Sequence, residues 1–173
     1  MKLNTFFLMS ATAMAMASAT ANAADEAVAD AVWSGVIGDS IPSSNLVITG
    51  LNSGEIQPGT LHVKTDGTFT SSQVTLEARD YDSETQVVGD RQPDATWTYV
   101  SSQVLMGNQV TQDASLTVKD ENSQQEFTQG SAGQVTGGYV KLSVANDKVI
   151  SDVPVEGEAQ VIVQMAASYI EAL

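Results

Sequence analysis

The single histidine, His62, is the first candidate for chemistry in this 173-residue sequence. A histidine acts as a general base or a zinc ligand only beside suitable partners. The sequence has no second histidine, no cysteine and no G-x-S-x-G nucleophile motif. Because His62 lies between Leu61 and Val63 in an alternating pattern, we interpret it as a solvent-exposed strand position. The sequence therefore predicts neither a catalytic histidine nor a zinc site.

Acidic clusters at residues 80–82 and 120–121 are candidates for two further functions, calcium binding and glycoside hydrolysis. An EF-hand loop needs a glycine and a closing glutamate at set positions, and neither cluster begins such a loop. The glycines of residues 130–138 match no phosphate-binding motif. We therefore predict a protein that is not an enzyme, with no catalytic residues, metal or cofactor, and leave only calcium binding open.

The overall charge limits the class of partner. The formal net charge is −14, so the chain repels nucleic-acid phosphates and anionic membrane surfaces. We expect no nucleic-acid partner. Since the sequence contains no cysteine, an exported form of it must be held by packing or by contacts with other chains rather than by disulfides.

Residues 1–23 have the order of a secretory signal peptide. Lys2 gives a basic start, residues 6–17 form an apolar stretch too short to span a bilayer, and Ala21 and Ala23 are small residues before a cleavage site. We expect this segment to be removed and the rest of the chain to be exported. The sequence offers no second apolar run long enough to span a membrane.

The remaining sequence has the pattern of strands and turns, with no sustained helical period. Short strands at this spacing are typical of an all-β sandwich. The dipeptide Asp66-Gly67 is predicted to join the strands 59–65 and 73–79 as a hairpin. Long polar loops are predicted at 80–94 and 119–138. The predicted strands are 24–37, 45–49, 59–65, 73–79, 95–106, 109–118, 139–145 and 159–169. In the strand 109–118 we predict Val110, Leu116 and Val118 as core residues.

The first and last predicted strands each lack an evident partner. Residues 24–37 have no hairpin partner in sequence, and the final strand would need a neighbour on its outer edge if it lay inside a sheet. The uncharged face of the first segment carries Ala27, Ala29, Ala31, Trp33, Gly35 and Ile37, and the other face carries Val28, Asp30, Val32, Ser34 and Val36. The residues alone leave both faces open as the buried one. One face of the final strand carries Val161, Val163, Met165, Ala167 and Tyr169.

Four segments carry a recognisable pattern: Ala27-Val28 with Trp33-Ser34, Ser44-Asn45-Leu46-Val47-Ile48-Thr49, Leu61-His62-Val63 through Asp66-Gly67 to Val74-Thr75-Leu76, and Gly157-Glu158 with the final strand. In these segments the chain resembles the subunits of alpha-type chaperone–usher pili, most of all the major subunit of the common pilus and more distantly those of colonisation-factor fimbriae. The resemblance is loose over residues 80–138, and the tail 170–173 departs from the pattern.

The resemblance implies an immunoglobulin-like β-sandwich that lacks its last strand and is completed by donor-strand exchange. Residues 24–37 would be the donor strand, residues 38–173 the pilin domain, and the final strand would line the acceptor groove. The implied partners are copies of the same chain, a periplasmic chaperone, an outer-membrane usher, a tip adhesin and a host or abiotic surface. The implied location is an extracellular fimbria that supports adhesion and biofilm formation.

Three alternatives stay open at this stage. The chain is also compatible with a biofilm-matrix fibre subunit that assembles without an usher, and with a secreted carbohydrate-binding or adhesin module. The latter would need a cluster of exposed aromatic residues, and Trp97 and Tyr99 are the nearest candidates. Finally, residues 24–37 would form the first strand of the chain's own sheet if they pair in cis, as edge strands of sandwiches commonly do.

Overall fold

The computed structural model describes residues 25–34, 40–107, 109–151, 153 and 157–170. The expected signal peptide, residues 1–23, and the positions Ala24, Gly35 and Ile37 of the expected donor strand lie outside these residues. None of the helical structure within the described ranges is long and apolar enough to cross a membrane.

The protein is all-β, with two antiparallel sheets arranged as in a β-sandwich. The described helical structure is one short 3-10 turn, Leu51–Ser53. The strands in chain order are β1 (Asp25–Trp33), β2 (Ser40–Ile41), β3 (Leu46–Thr49), β4 (Leu61–Val63), β5 (Phe69–Ser71), β6 (Val74–Asp82), β7 (Val87–Arg91), β8 (Thr96–Met106), β9 (Gln109–Val110), β10 (Leu116–Asp120), β11 (Gln125–Phe127), β12 (Val135–Thr136), β13 (Tyr139–Asn146) and β14 (Ala159–Tyr169).

The first sheet has the strand order β12-β8-β14-β1-β2, with β9 added beside β8. The second sheet contains the path β11-β10-β13-β5-β4, and β6 pairs with β13, β3 and β7. One hydrophobic core takes side chains from both sheets, including Trp33 and Trp97 from the first and Leu76 and Leu142 from the second. Alternation is strict along β13, and along β14 it holds from Val161 to Met165, after which Ala166 and Ala167 are both buried. These positions supply the core because every second side chain of a strand points to the same face.

The expectation of an all-β sandwich is confirmed as far as the all-β content and the two antiparallel sheets. β14 has the predicted bounds 159–169. The predicted hairpin is wrong in detail. Asp66-Gly67 connects β4 to the short strand β5, which the sequence did not predict, and not to β6. The side chain of Asp66 accepts bonds from the backbone N and the hydroxyl of Thr68 and so fixes the turn. The break between β5 and β6 comes at Ser72 and Gln73.

Two further assignments are corrected by the structure. The predicted strand 109–118 is two strands in different sheets, β9 beside β8 and β10 beside β13. Val110 is 49% exposed and not a core residue, because β9 is a two-residue edge strand, whereas Val118 is buried and Leu116 is half-buried. The predicted loops are also interrupted: β7 lies within 80–94, and β11 and β12 lie within 119–138.

Candidate functional site: the groove that holds the first strand

The candidate site is the position of β1 in the first sheet, between β14 and β2. Along one edge β1 pairs with β14 in antiparallel fashion over its whole length, from Asp25 opposite Tyr169 to Trp33 opposite Val161. On the other edge it pairs with β2 at Val28 and Ala29. The first strand is therefore an interior strand of its own chain's sheet. The final strand is flanked by β8 on one side and by β1 on the other.

The uncharged face of β1 is the buried one. Ala27, Ala29, Ala31 and Trp33 are all buried and belong to the hydrophobic core. They lie opposite Ala167, Met165, Val163 and Val161 of β14, which are buried too. The three alanines at alternate positions of this face have small side chains. Trp33 therefore contributes most of the apolar surface that this face of β1 buries.

Trp33 occupies a fitted socket at the end of β1. Its indole Nε1 donates a hydrogen bond to the backbone carbonyl of Ser72 at 2.8 Å. Gly59 lies directly against the ring, and a Cβ atom at position 59 would overlap Cδ1 and Nε1 of Trp33. The backbone is tied on both sides of the ring, because Gly59 N donates to the carbonyl of Val32 at 2.9 Å and Ser34 N donates to the carbonyl of Gly59 at 3.0 Å. The socket thus joins β1 to the segment that precedes β4.

Asp25 holds the opposite end of β1. The same oxygen of its carboxylate, Oδ2, accepts two hydrogen bonds of 2.7 Å, one from the hydroxyl of Ser43 and one from the backbone N of Asn45. The hydroxyl of Ser43 accepts a bond from the backbone N of Leu46 at 3.0 Å, and the backbone N of Ser43 donates to the carbonyl of Leu46 at 2.8 Å. Since hydrogen bonds to a charged group are stronger than neutral ones, this carboxylate links the first residue of β1 to the turn before β3.

Ser34, directly after β1, has an unusual backbone conformation. Its φ is +83°, in the left-handed region that costs a residue other than glycine of order 1–3 kcal/mol. Its hydroxyl donates to the carbonyl of Ala159. β2 runs antiparallel to β1, so the chain reverses its direction between Trp33 and Ser40. Ser34, the described residue directly after β1, adopts its conformation at a local energetic cost.

The predicted site residues can now be placed. Donor-face positions 27, 29, 31 and 33 meet the acceptor-face positions 161, 163, 165 and 167 within one chain. Tyr169 is half-buried and lies opposite Asp25. Gly35 and Ile37 lie outside the described residues. The sequence left open whether the first segment pairs with the last strand in cis or in trans, and in this structure β1 occupies the outer edge of β14 in cis.

The other chemical candidates have structural roles. His62 is exposed on β4, as predicted. Asp120 is fully buried, and its carboxylate accepts bonds from the backbone N of Ser123 at 2.9 Å and of Lys141 at 2.8 Å, so it fixes a turn. Among the residues that the structure describes, no group of three or more histidine, cysteine, aspartate or glutamate side chains is placed to hold a metal ion.

Glu77 is a buried carboxylate on β6. It is 1% exposed and pairs with Arg79 at 2.7 Å, while Arg91 lies 3.8 Å away. Arg91 also lies over the ring of Tyr139, 5.2 Å from its centroid. A buried charge is tolerated when it is paired, and this cluster joins β6 to β7 and β13.

The aromatic candidates for sugar binding are not on the surface. Trp97 is fully buried and donates from Nε1 to the carbonyl of Gly137 at 2.7 Å. Tyr99 is 4% exposed, and its hydroxyl bonds that of Ser102. Neither ring is available to stack on a sugar.

Comparison of the chain with protein-family models, with curated proteins and with solved structures found no match.

Sequence reasoning missed three residues of the site. Asp25, Gly59 and Ser72 hold the two ends of β1. A lone glycine within a predicted strand, as at Gly59, signals a close backbone approach, but it does not say which residue approaches. Asp25 and Ser72 carry no sequence signal for these contacts, since each contact is made to a distant part of the chain.

Proposed function

We propose that this chain is the structural subunit of an extracellular pilus or fimbria, in which each subunit passes β1 into the groove of a neighbour. The observation that supports this proposal is the place of β1. It is an early segment of the chain, it fills an interior slot beside the last strand, and it buries one continuous apolar face there. A second copy carries the same strand and offers the same groove.

The energetics of the exchange follow from this identity of contacts. A swapped β1 would make the same nine-residue pairing with β14 as the cis strand does. Each backbone hydrogen bond contributes roughly 1 kcal/mol net, and the buried apolar side chains add to this. Since cis and trans contacts are equivalent, the connecting segment and the protein concentration decide between monomer and filament.

The conformation of Ser34 favours exchange in this balance. Short or strained hinges promote domain swapping, and Ser34 adopts a left-handed conformation where the chain leaves β1. In an extended subunit that donates β1 to a neighbour, the chain would not have to turn back at this point. The contact is head-to-tail and does not close on itself, so repeated exchange gives a filament.

The finer proposal follows the resemblance to alpha-type chaperone–usher pilins. Residues 1–23 would direct export to the periplasm, a chaperone would hold the groove before assembly, and an outer-membrane usher would exchange the chaperone for the β1 strand of the next subunit. The filament would present a tip adhesin to host or abiotic surfaces and support biofilm formation. Copurification of this chain with a periplasmic chaperone favours this route over a biofilm-matrix fibre that needs no usher.

A disulfide lock tests the proposal, because the chain has no cysteine of its own. Asp30 of β1 lies opposite Gln164 of β14, and both are half-buried. Opposed strand positions have the Cα separation that a disulfide requires. The double variant Asp30→Cys/Gln164→Cys, oxidised as a monomer, should form no filaments in electron micrographs and should form them after reduction. Filaments built from the oxidised chain would contradict strand exchange, and Asp30→Cys alone is the control.

A further inference from the structure

We propose that the socket around Trp33 determines which strand the groove accepts and in which register. The occupant to which the socket is fitted is β1 of a second copy of this chain. This inference rests on the proposed strand exchange and deepens it, because it assigns the selectivity to one side chain and to the residues that receive it.

The alanines of β1 cannot set the register. A slip of two residues keeps the same face turned toward the core, because side chains alternate along a strand. Two of the three residues Ala27, Ala29 and Ala31 would then occupy a position that another alanine held. Their part of the groove discriminates weakly among strands with small residues at alternate positions.

Trp33 removes this ambiguity. A slip of two residues would take its ring out of the socket and move it along β14, against Val163 or beyond Val161. The socket has room for an indole only because residue 59 is glycine: a Cβ there would overlap the ring and would lie 3.0 Å from Cγ2 of Val74. Gly59 is not among the glycines with positive φ, so the ring, and not the backbone conformation, requires a glycine.

Shape contributes more to the selectivity than the hydrogen bond does. The carbonyl of Ser72 that accepts from Trp33 Nε1 also accepts a bond from the hydroxyl of Ser71 at 2.8 Å. Loss of the indole N–H therefore leaves this carbonyl with a partner. A phenylalanine at position 33 should retain much of the binding, whereas an alanine would leave an unfilled cavity of nearly the whole ring.

The socket is built from parts that stay with the receiving domain. Thr60 N donates to the hydroxyl of Ser72 at 2.9 Å, and Ser72 N donates to the carbonyl of Thr60 at 2.9 Å. These bonds hold the segments before β4 and after β5 side by side. They involve no residue of β1, so they remain when β1 leaves.

Peptide uptake by the full chain tests the socket. The acceptor is the variant Trp33→Ala, whose own β1 leaves the socket empty. The probes are a synthetic peptide of residues 25–34 and the same peptide with Trp33→Ala, each added in excess, and the bound fraction is measured by native mass spectrometry. We expect the bound fraction of the tryptophan peptide to be at least about tenfold that of the alanine peptide, because only the tryptophan peptide buries a full aromatic side chain.

A second acceptor, Trp33→Ala/Gly59→Ala, has its socket narrowed by one methyl group. In this variant the preference for the tryptophan peptide should fall to near parity. If Trp33→Ala does not fold, Trp33→Leu with and without Gly59→Ala carries the same comparison. Equal uptake of both peptides by the first acceptor, or an unchanged preference in the second, overturns the role of the socket and leaves strand exchange in place. Uptake of neither peptide overturns strand exchange and the socket together.

Discussion

Ala31 of β1 lies directly opposite Val163 of β14, and both side chains are fully buried. This pair joins the first described strand to the last, so the pairing closes a loop that contains nearly the whole domain. Closing such a loop has a large entropic cost and makes the pairing slow to form. In the strand exchange proposed above, a strand from a neighbouring chain would compete for this place while β1 is still unpaired. The long loop between β1 and β14 is the feature of the topology that would allow this competition.

The two faces of β1 should respond differently to a charge. Ala29→Asp places a carboxylate at a position that is 2% exposed, and we expect a loss of roughly 3 kcal/mol or more in the free energy of unfolding. Val28→Asp, on the outer and half-buried face, should cost about 1 kcal/mol or less. Urea denaturation measures both. Equal losses would show that β1 does not bury its alanine face in solution.

The carboxylate of Asp25 should stabilise the start of β1. Asp25→Ala removes its bonds to Ser43 and Asn45, and hydrogen bonds to charged groups contribute about 1.5–3 kcal/mol. We expect faster hydrogen exchange of the backbone amides of β1 than in the unchanged protein. The control is Glu26→Ala at the neighbouring exposed position. An Asp25→Ala chain with the exchange rates of the control would exclude this anchor.

Gly59 should be intolerant of the smallest substitution. Gly59→Ala forces the added methyl group against the Trp33 ring, and such overpacking costs about 1–3 kcal/mol. The matched control is Gly54→Ala, at an ordinary φ of −83°, where the nearest atom to the new Cβ is the carbonyl oxygen of Leu51 at 3.1 Å. Thermal unfolding compares the two. A melting temperature for Gly59→Ala no lower than that of the control would refute the tight fit.

Acid should weaken a contact between β10 and β13. The hydroxyl of Ser143 donates to Glu121 at 2.7 Å and, with Gln124 and Lys119, lowers the pKa of this carboxyl below its ordinary value of 4.5. The folded state therefore binds fewer protons than the unfolded chain, so the contribution is present above pH 4.5 and is lost as the pH falls through the folded pKa.

Ser143→Ala tests this linkage. The decline in the free energy of unfolding below pH 4.5 should be shallower in this variant than in the unchanged protein. Ser101→Ala, at an exposed serine of β8, is the control. Identical pH profiles for the two variants would show that Ser143 does not set the pKa of Glu121.

The sequence pattern predicted local structure where alternation is regular. β14 has a buried residue at every second position from Val161 to Ala167, and its bounds were predicted correctly. The turn at Asp66-Gly67 was recognised, but a turn signal does not fix how long the returning strand continues, and β5 ends after three residues. The burial of Glu77 does not follow from alternation, because alternation says nothing of Arg79 and Arg91, whose charges permit its burial.

The site was predictable only in part. The uncharged face of residues 24–37 and the apolar face of the last strand were both visible in the residue types, although the sequence left open which face of the first segment is buried. Their pairing within one chain was not, because cis and trans pairing satisfy the same pattern of side chains. The Gly59 contact to Trp33 depends on the packing of distant segments, and a single sequence carries no trace of it beyond the glycine itself.

The most direct measurement mixes two single-cysteine chains, one with Asp30→Cys and one with Gln164→Cys. These positions are paired in the β1–β14 ladder, so a disulfide between different chains forms only if β1 of one chain enters the groove of the other. After mixing at a concentration that yields filaments, followed by oxidation, strand exchange predicts a disulfide-linked heterodimer on a non-reducing gel. Replacing Gln164→Cys by Ser168→Cys, which lies on the same strand but out of register with Asp30, should abolish the band. Filaments without the heterodimer, or an equally strong band from the out-of-register pair, would contradict the account.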